Sequence, residues 1–339
     1  MSNANFSTTV ASSLSTSGNV SDAMPTILPS TNAVTQPALP PQLFVGTDRT
    51  IAVIIYCIVS TLSLTLHGIF CMGVRRLCGW KSDFSFTLLL CLSLVSSLRF
   101  LMDFIASITS LFYMDFNKYQ TLWIIFGSIS YAPYFTVVVL NLAIALHRLL
   151  YTAYPFTASN IVTETTAKVI LSIIPLSFTF FLTVLNTELM GVRWVDSLMS
   201  WTSMKSRNAL LFRIINRMSN FFVGVLSLVL YSTLICVLVY KKMISFRRNH
   251  EIKMTLQVIC MVVSEILFFT YWELFNMEGY GSWDLVIAEV SNLLYFDAII
   301  LPYIILNRKI HDELKRVLGD MKKASPFNSF VPTLTRTAR

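Results

Sequence analysis

Seven apolar runs, near residues 50–73, 84–112, 121–150, 166–188, 211–240, 253–275 and 284–307, are each long enough to cross a lipid bilayer. A hydrocarbon core about 30 Å thick takes roughly 20 mostly apolar residues in a helix. Backbone amides in lipid must bond within their own segment or a closed barrel, so runs of that length fold as helices. The expected fold is all-α, a membrane bundle of seven helices. Composition agrees: 13% of residues are charged and mean hydropathy is +0.64, whereas soluble domains carry about 25% charged residues.

An odd number of crossings puts the two termini on opposite faces, and basic residues decide which face is which, because short basic loops resist translocation. With the N-terminus outside, Arg75, Arg76, Lys81, Arg148, Lys168, Lys241, Lys242, Arg247, Arg248 and Lys253 fall on internal loops or helix ends. Arg308, Lys309, Lys315, Arg316, Lys322, Lys323, Arg336 and Arg339 join them on the C-terminal tail. The external side holds only Arg49, Lys118, Arg193, Lys205, Arg207, Arg213 and Arg217. The asymmetry predicts a multi-pass plasma-membrane protein with its N-terminus extracellular and its C-terminus cytosolic. The net charge of +8 then suits an anionic leaflet and an acidic cytosolic partner, and calls for no nucleic acid.

Residues 1–46 contain no Lys or Arg and are rich in Ser, Thr, Asn, Ala and Pro, a composition that cannot bury enough apolar surface to fold. They read as a disordered extracellular tail, translocated ahead of the first span, with no basic segment leading into an apolar one as a cleaved signal would have. Asn5-Phe6-Ser7 and Asn19-Val20-Ser21 are glycosylation sequons within it, on the side already predicted external. The bundle then runs over 47–307, an amphipathic cytosolic helix over 308–322 and a disordered tail over 323–339. The amphipathic reading rests on Ile310, Leu314, Val317, Leu318 and Met321 recurring at helical spacing among Lys and Arg, the pattern of a helix lying along a membrane surface. All six cysteines lie in spans or the first internal loop, which leaves no external disulfide and no zinc spacing.

Polar groups inside spans are costly and point to sites. Arg99 and Asp103 stand four apart on one helix face and can neutralise each other. Glu265 and Asp297 fall near the middle of the sixth and seventh runs. No lysine occurs between Lys253 and Lys309, which excludes a retinal Schiff base on the last span. The four histidines, at 67, 147, 250 and 311, sit on different segments, so no enzyme and no cofactor is expected. No repeat divides the chain as a transporter would require.

The segment Asn141-Leu142-Ala143-Ile144-Ala145-Leu146-His147-Arg148-Leu149-Leu150-Tyr151-Thr152-Ala153-Tyr154-Pro155 closes the third run. It resembles the Asp/Glu-Arg-Tyr region of rhodopsin-like G-protein-coupled receptors, with Arg148 followed seven residues later by Pro155. His147 replaces the acid and Leu149 the tyrosine. Leu301-Pro302-Tyr303-Ile304-Ile305 resembles a degraded Asn-Pro-x-x-Tyr motif, with Leu301 for the asparagine and Ile305 for the tyrosine. The family's cysteine at the top of helix three, its proline on helix six and its sodium-site pattern have no counterparts. These departures, with the short third internal loop, resemble the divergent serpentine chemosensory receptors of nematodes, the class called srx most of all.

The resemblance implies a receptor that binds a small external chemical in the outer half of the bundle and activates a heterotrimeric G protein. Arg148 would couple, with Lys241, Lys242, Arg247 and Arg248 at the rim of the cleft. Residues some 18 positions before Arg148 lie about 27 Å further out, which sets Gly127, Ser130, Tyr131 and Tyr134 at pocket depth. Facing them would be Phe221 and Phe222, then Tyr271, Trp272 and Glu273, and on the last span Glu289, Asn292 and Tyr295. Ser325, Ser329, Thr333, Thr335 and Thr337 are candidate phosphorylation sites in the tail. The alternative is a ligand-gated seven-span channel or channel subunit.

Overall fold

A computed structural model describes residues 44–80, 83–112, 118–187, 190–203, 209–240, 249–273 and 283–324. The apolar runs form helices α1 (Gly46–Val74), α2 (Phe84–Leu111), α3 (Gln120–Ala153) and, after the seven-residue α4 (Pro155–Ile161), α5 (Glu164–Leu185). The next run is interrupted: α6 (Ala209–Phe221) passes through a π-helical segment (Phe222–Leu226) into α7 (Ser227–Tyr240). Helices α8 (Asn249–Glu273), α9 (Trp283–Leu306) and α10 (Arg308–Ala324) follow.

Among the described residues six helices are long and apolar enough to cross a membrane: α1, α2, α3, α5, the composite Leu210–Tyr240 and α9. The expected span at 253–275 coincides with α8, a 25-residue helix that is not among those six. The sequence expectation of a helix over 308–322 meets α10, which runs two residues further.

The helices form a closed bundle. Helix α1 packs on α2, α2 on α3, α8 on α9 and α9 back on α1, while α3 lies against α2, α5 and α7. That central position matches its burial: Tyr134, Phe135, Val137, Leu140, Ile144 and Ala145 are all buried along it. Helix α5 is the reverse case, with Val169, Ile173, Leu176 and Phe180 exposed. A stripe of that kind is at home against lipid, where exposed apolar side chains carry no penalty.

Two local features fix the ends. At Gly73 a Cβ would stand 2.9 Å from Ile310 Cγ2 and 3.0 Å from Leu314 Cγ. Glycine there lets α10 fold back onto the end of α1 with Ile310 and Val317 buried. At the opposite end of the bundle a β-hairpin, β1 (Val192–Val195) and β2 (Ser200–Ser203), pairs Val192 with Ser203, Arg193 with Thr202, Trp194 with Trp201 and Val195 with Ser200. The stretch lies between the apolar runs ending at 188 and beginning at 211, where the sequence predicts no span. The alternation Val192-Arg193-Trp194 and Trp201-Thr202 carried the strand signal.

Candidate functional site

Arg99 of α2 is fully buried and is the hub of a polar cluster. Its Nε pairs with Asp103 Oδ2 at 3.0 Å, as the four-residue spacing predicts. Its Nη1 donates to Ser130 Oγ at 2.6 Å and Ser130 O at 3.3 Å, three residues before Pro133, which has no amide hydrogen to give the helix. Its Nη2 pairs with Glu289 Oε1 on α9. The guanidinium lies 4.7 Å from the centroid of the Tyr131 ring, within cation–π range. One residue thus ties α2, α3 and α9 together, with Ser130, Tyr131 and Glu289 all in contact with it.

The hairpin closes over this cluster. Trp201 Nε1 donates to Asp103 Oδ1. Trp194, paired across the ladder, stacks edge-on at 5.2 Å from Trp201 and donates through Nε1 to Ser110 Oγ at 2.8 Å. Arg49 at the start of α1 holds Asp196 in the hairpin turn through Nη2, 2.6 Å from each carboxylate oxygen. Tyr56 OH donates to Met199 O at 2.9 Å, bracing the turn residue whose φ of 49° is left-handed. Gly127 completes the seat: a Cβ there would fall 2.0 Å from Val192 O and 2.7 Å from its carbonyl carbon. Arg49, Asp196 and the two tryptophans escaped the sequence reading because each acts only through a partner far along the chain. Trp201→Phe, which keeps a ring but removes the donor to a buried carboxylate, is expected to cost about 2 kcal/mol. Thermal unfolding of the purified protein in nanodiscs measures it, and an unchanged midpoint would mean that this bond does not hold the hairpin.

The other expected pocket residues divide among two further groups. Tyr134 OH donates to Asn220 Oδ1 on α6, and Asn220 Nδ2 donates to Glu273 Oε1 of α8 at 2.9 Å. Arg217 lies 3.8 Å from Glu273. The π-helical turn begins two residues after Asn220, and such turns often accompany functional sites. Deeper in the bundle, Trp272 and Tyr295 meet edge to face at 5.2 Å. Trp272 Nε1 donates to Ser291 Oγ at 3.1 Å, and Asn141 Nδ2 donates to Tyr295 OH at 3.2 Å. Tyr271 packs half-buried against the core. Phe221 departs from expectation: it is exposed and stacks on Phe269 at 5.6 Å, on the outer surface of the bundle. The side chain of Phe222 lies outside the described residues.

The two carboxylates expected at mid-span find polar partners across the bundle. Glu265 Oε1 lies 3.5 Å from Asn141 Nδ2. Asp297 accepts from Ser63 Oγ at 2.6 Å and sits 3.5 Å from His67 Nε2, while His67 Nδ1 meets Ser93 Oγ at 2.9 Å.

At the end far from the hairpin, Arg148 lies half-buried with its guanidinium 4.7 Å from the centroid of the Tyr303 ring. Tyr303 is fully buried on α9 beside Pro302. His147, which precedes Arg148, is buried against Phe84 and Tyr151 at 5.8 and 4.6 Å between centroids. An aromatic face rather than an adjacent carboxylate therefore holds Arg148.

Asn5, Asn19, Lys241, Lys242, Arg247, Arg248, Ser325, Ser329, Thr333, Thr335 and Thr337 lie outside the described residues. Among the described residues no group of three or more His, Cys, Asp or Glu side chains is arranged to hold a metal ion, and the six cysteines are free. Compared with models of known protein families and with curated proteins, the chain matches none.

Proposed function

We propose that the chain is a seven-helix G-protein-coupled receptor of the plasma membrane, with α8 as the remaining span and the hairpin outside. A small external chemical, in the manner of a chemosensory ligand, binds in the outer half of the bundle beneath the hairpin. The residues lining its site are Ser130, Tyr131, Tyr134, Tyr271, Trp272, Glu289, Asn292 and Tyr295. A heterotrimeric G protein engages the inner end at Arg148, with Lys241, Lys242, Arg247 and Arg248 at the rim. Helix α10 lies along the inner leaflet. Glycans on Asn5 and Asn19 belong to the external tail.

The observation that carries this reading is the pairing of two polar centres at opposite ends of the same helices. Arg99, Ser130 and Glu289 join α2, α3 and α9 at the hairpin end, and Arg148 and Tyr303 join α3 and α9 at the other. A ligand that bonds differently to two arrangements of α9 against α3 shifts their populations, and the same displacement uncovers Arg148. An Arg held on a ring by about 1 kcal/mol is released more readily than one in a buried ion pair.

The test is guanine-nucleotide exchange on a panel of G proteins in membranes carrying the chain, with whole-cell current recorded in parallel under the same panel of small metabolites. Exchange without current supports the receptor. A ligand-evoked current without exchange on any G protein replaces it with the channel alternative.

A further inference from the structure

The outer cluster is not electrically balanced. Among the described residues Arg99 is the cation, and it faces two carboxylates, Asp103 and Glu289, all three at most 4% exposed. The neighbouring pairs do not correct this: Arg49 is taken by Asp196 and Arg217 lies by Glu273. With both carboxylates ionised, one negative charge is left over in a buried, low-dielectric place, which is strongly unfavourable unless a cation or a proton meets it.

A second, independent feature stands beside it. Asn292 of α9 is fully buried, and neither its amide nitrogen nor its amide oxygen has a hydrogen-bond partner. Burying an amide unbonded costs about 1–3 kcal/mol by protein mutational data, so such a group ordinarily answers to something. Its direction follows from helix geometry. Glu289, three residues earlier, reaches Arg99, and Phe296, four later, meets Phe100 at 6.0 Å, so that stripe of α9 faces α2. Tyr295 faces α3 and α8 through Asn141 and Trp272. Asn292 falls between these stripes, and so projects into the seam of α2, α3 and α9 one turn below the Arg99–Glu289 pair.

We propose that this seam binds a ligand bearing one positive charge, a protonated amine, whose ammonium completes the Arg99–Asp103–Glu289 cluster and whose hydrogen-bonding group meets the Asn292 amide; the proposal takes its location from the receptor reading but concerns binding alone. An anionic ligand would meet two carboxylates around an arginine already bonded on three sides. An uncharged one would leave the charge in place.

The experiment is thermal unfolding of the full chain in nanodiscs, with phenethylamine, 2-phenylethanol, phenylacetate and sodium chloride as separate additions. Saturating phenethylamine is expected to raise the midpoint by about 3 °C or more, and the alcohol, the acid and sodium to do markedly less. Glu289→Gln keeps an acceptor for Arg99 and makes the cluster neutral; it should fold, and the amine concentration giving half the shift should rise at least about tenfold. Asn292→Leu removes the unbonded amide, so it should unfold no lower than the parent while losing much of the amine shift. Equal stabilisation by the alcohol or by sodium, or a shift undiminished in both variants, overturns the proposal. Because no G protein takes part, an amine shift without nucleotide exchange would leave the amine site standing and count against the receptor, whereas exchange driven only by uncharged or anionic compounds would do the reverse.

Discussion

Gly127→Ala is expected to unseat the hairpin and destabilise the protein by about 3 kcal/mol, with most of the chain failing to reach the cell surface. A methyl group at this position would overlap the backbone of Val192, 2.0 Å away at its carbonyl oxygen. Backbone cannot turn aside as a side chain can, so β1 must lift from α3. The hairpin then carries its other contacts with it: Trp201 from Asp103, Trp194 from Ser110 and Asp196 from Arg49. Gly68→Ala is the control, since a Cβ there meets nothing within 4 Å and alanine is the better helix former. Surface labelling and the unfolding midpoint decide the matter. A Gly127→Ala protein that matches the Gly68→Ala control in both would mean that the hairpin does not sit on α3. The physical role is that of a tether. With no cysteine between Val192 and Ser203, close backbone approach and four polar anchors hold the hairpin across the end of the bundle.

Arg99→Leu is the second large effect. Removing this cation leaves Asp103 and Glu289 buried without it, and losing one partner of a buried pair costs about 3–5 kcal/mol. The midpoint should fall accordingly. Adding Asp103→Asn and Glu289→Gln to Arg99→Leu should recover much of the loss, because the penalty belongs to the uncompensated charges and not to the missing contacts. A single Arg99→Leu variant within about 0.5 kcal/mol of the parent would contradict the hub role.

The residues differ instructively in how far sequence alone exposed them. The helices were legible because an apolar run of membrane length has one way to satisfy its backbone, and their ends agree with the runs to within a few residues for most segments. The interruption at 222–226 was not, since Phe222-Val223-Gly224-Val225-Leu226 is as apolar as its flanks. Gly224 was the available clue: a Cβ there would strike the Phe269 ring at 2.4 Å. Arg99 with Asp103 was legible because four residues make one helical turn. Glu289, 190 residues away from Arg99, was named for depth alone, and its partner could come only from the packing. The same holds for Tyr134 and Asn220. Arg148 was found through resemblance. Its partner Tyr303 was not, because the local motif offers no acid beside it and says nothing of which ring approaches from α9.

The hairpin was missed for a different reason. Four-residue strands in a short connection yield to the stronger signals on either side, and the buried tryptophans acquire meaning only when paired.

The measurement that tests the account most directly is ligand-driven guanine-nucleotide exchange by the parent chain and by Arg148→Ala, compared at equal surface density. Exchange is expected in the parent and a loss of at least about tenfold in the variant, with ligand-induced thermal stabilisation preserved in both. Exchange that persists undiminished without the Arg148 guanidinium, or stabilisation by ligand with no exchange on any G protein, would contradict it.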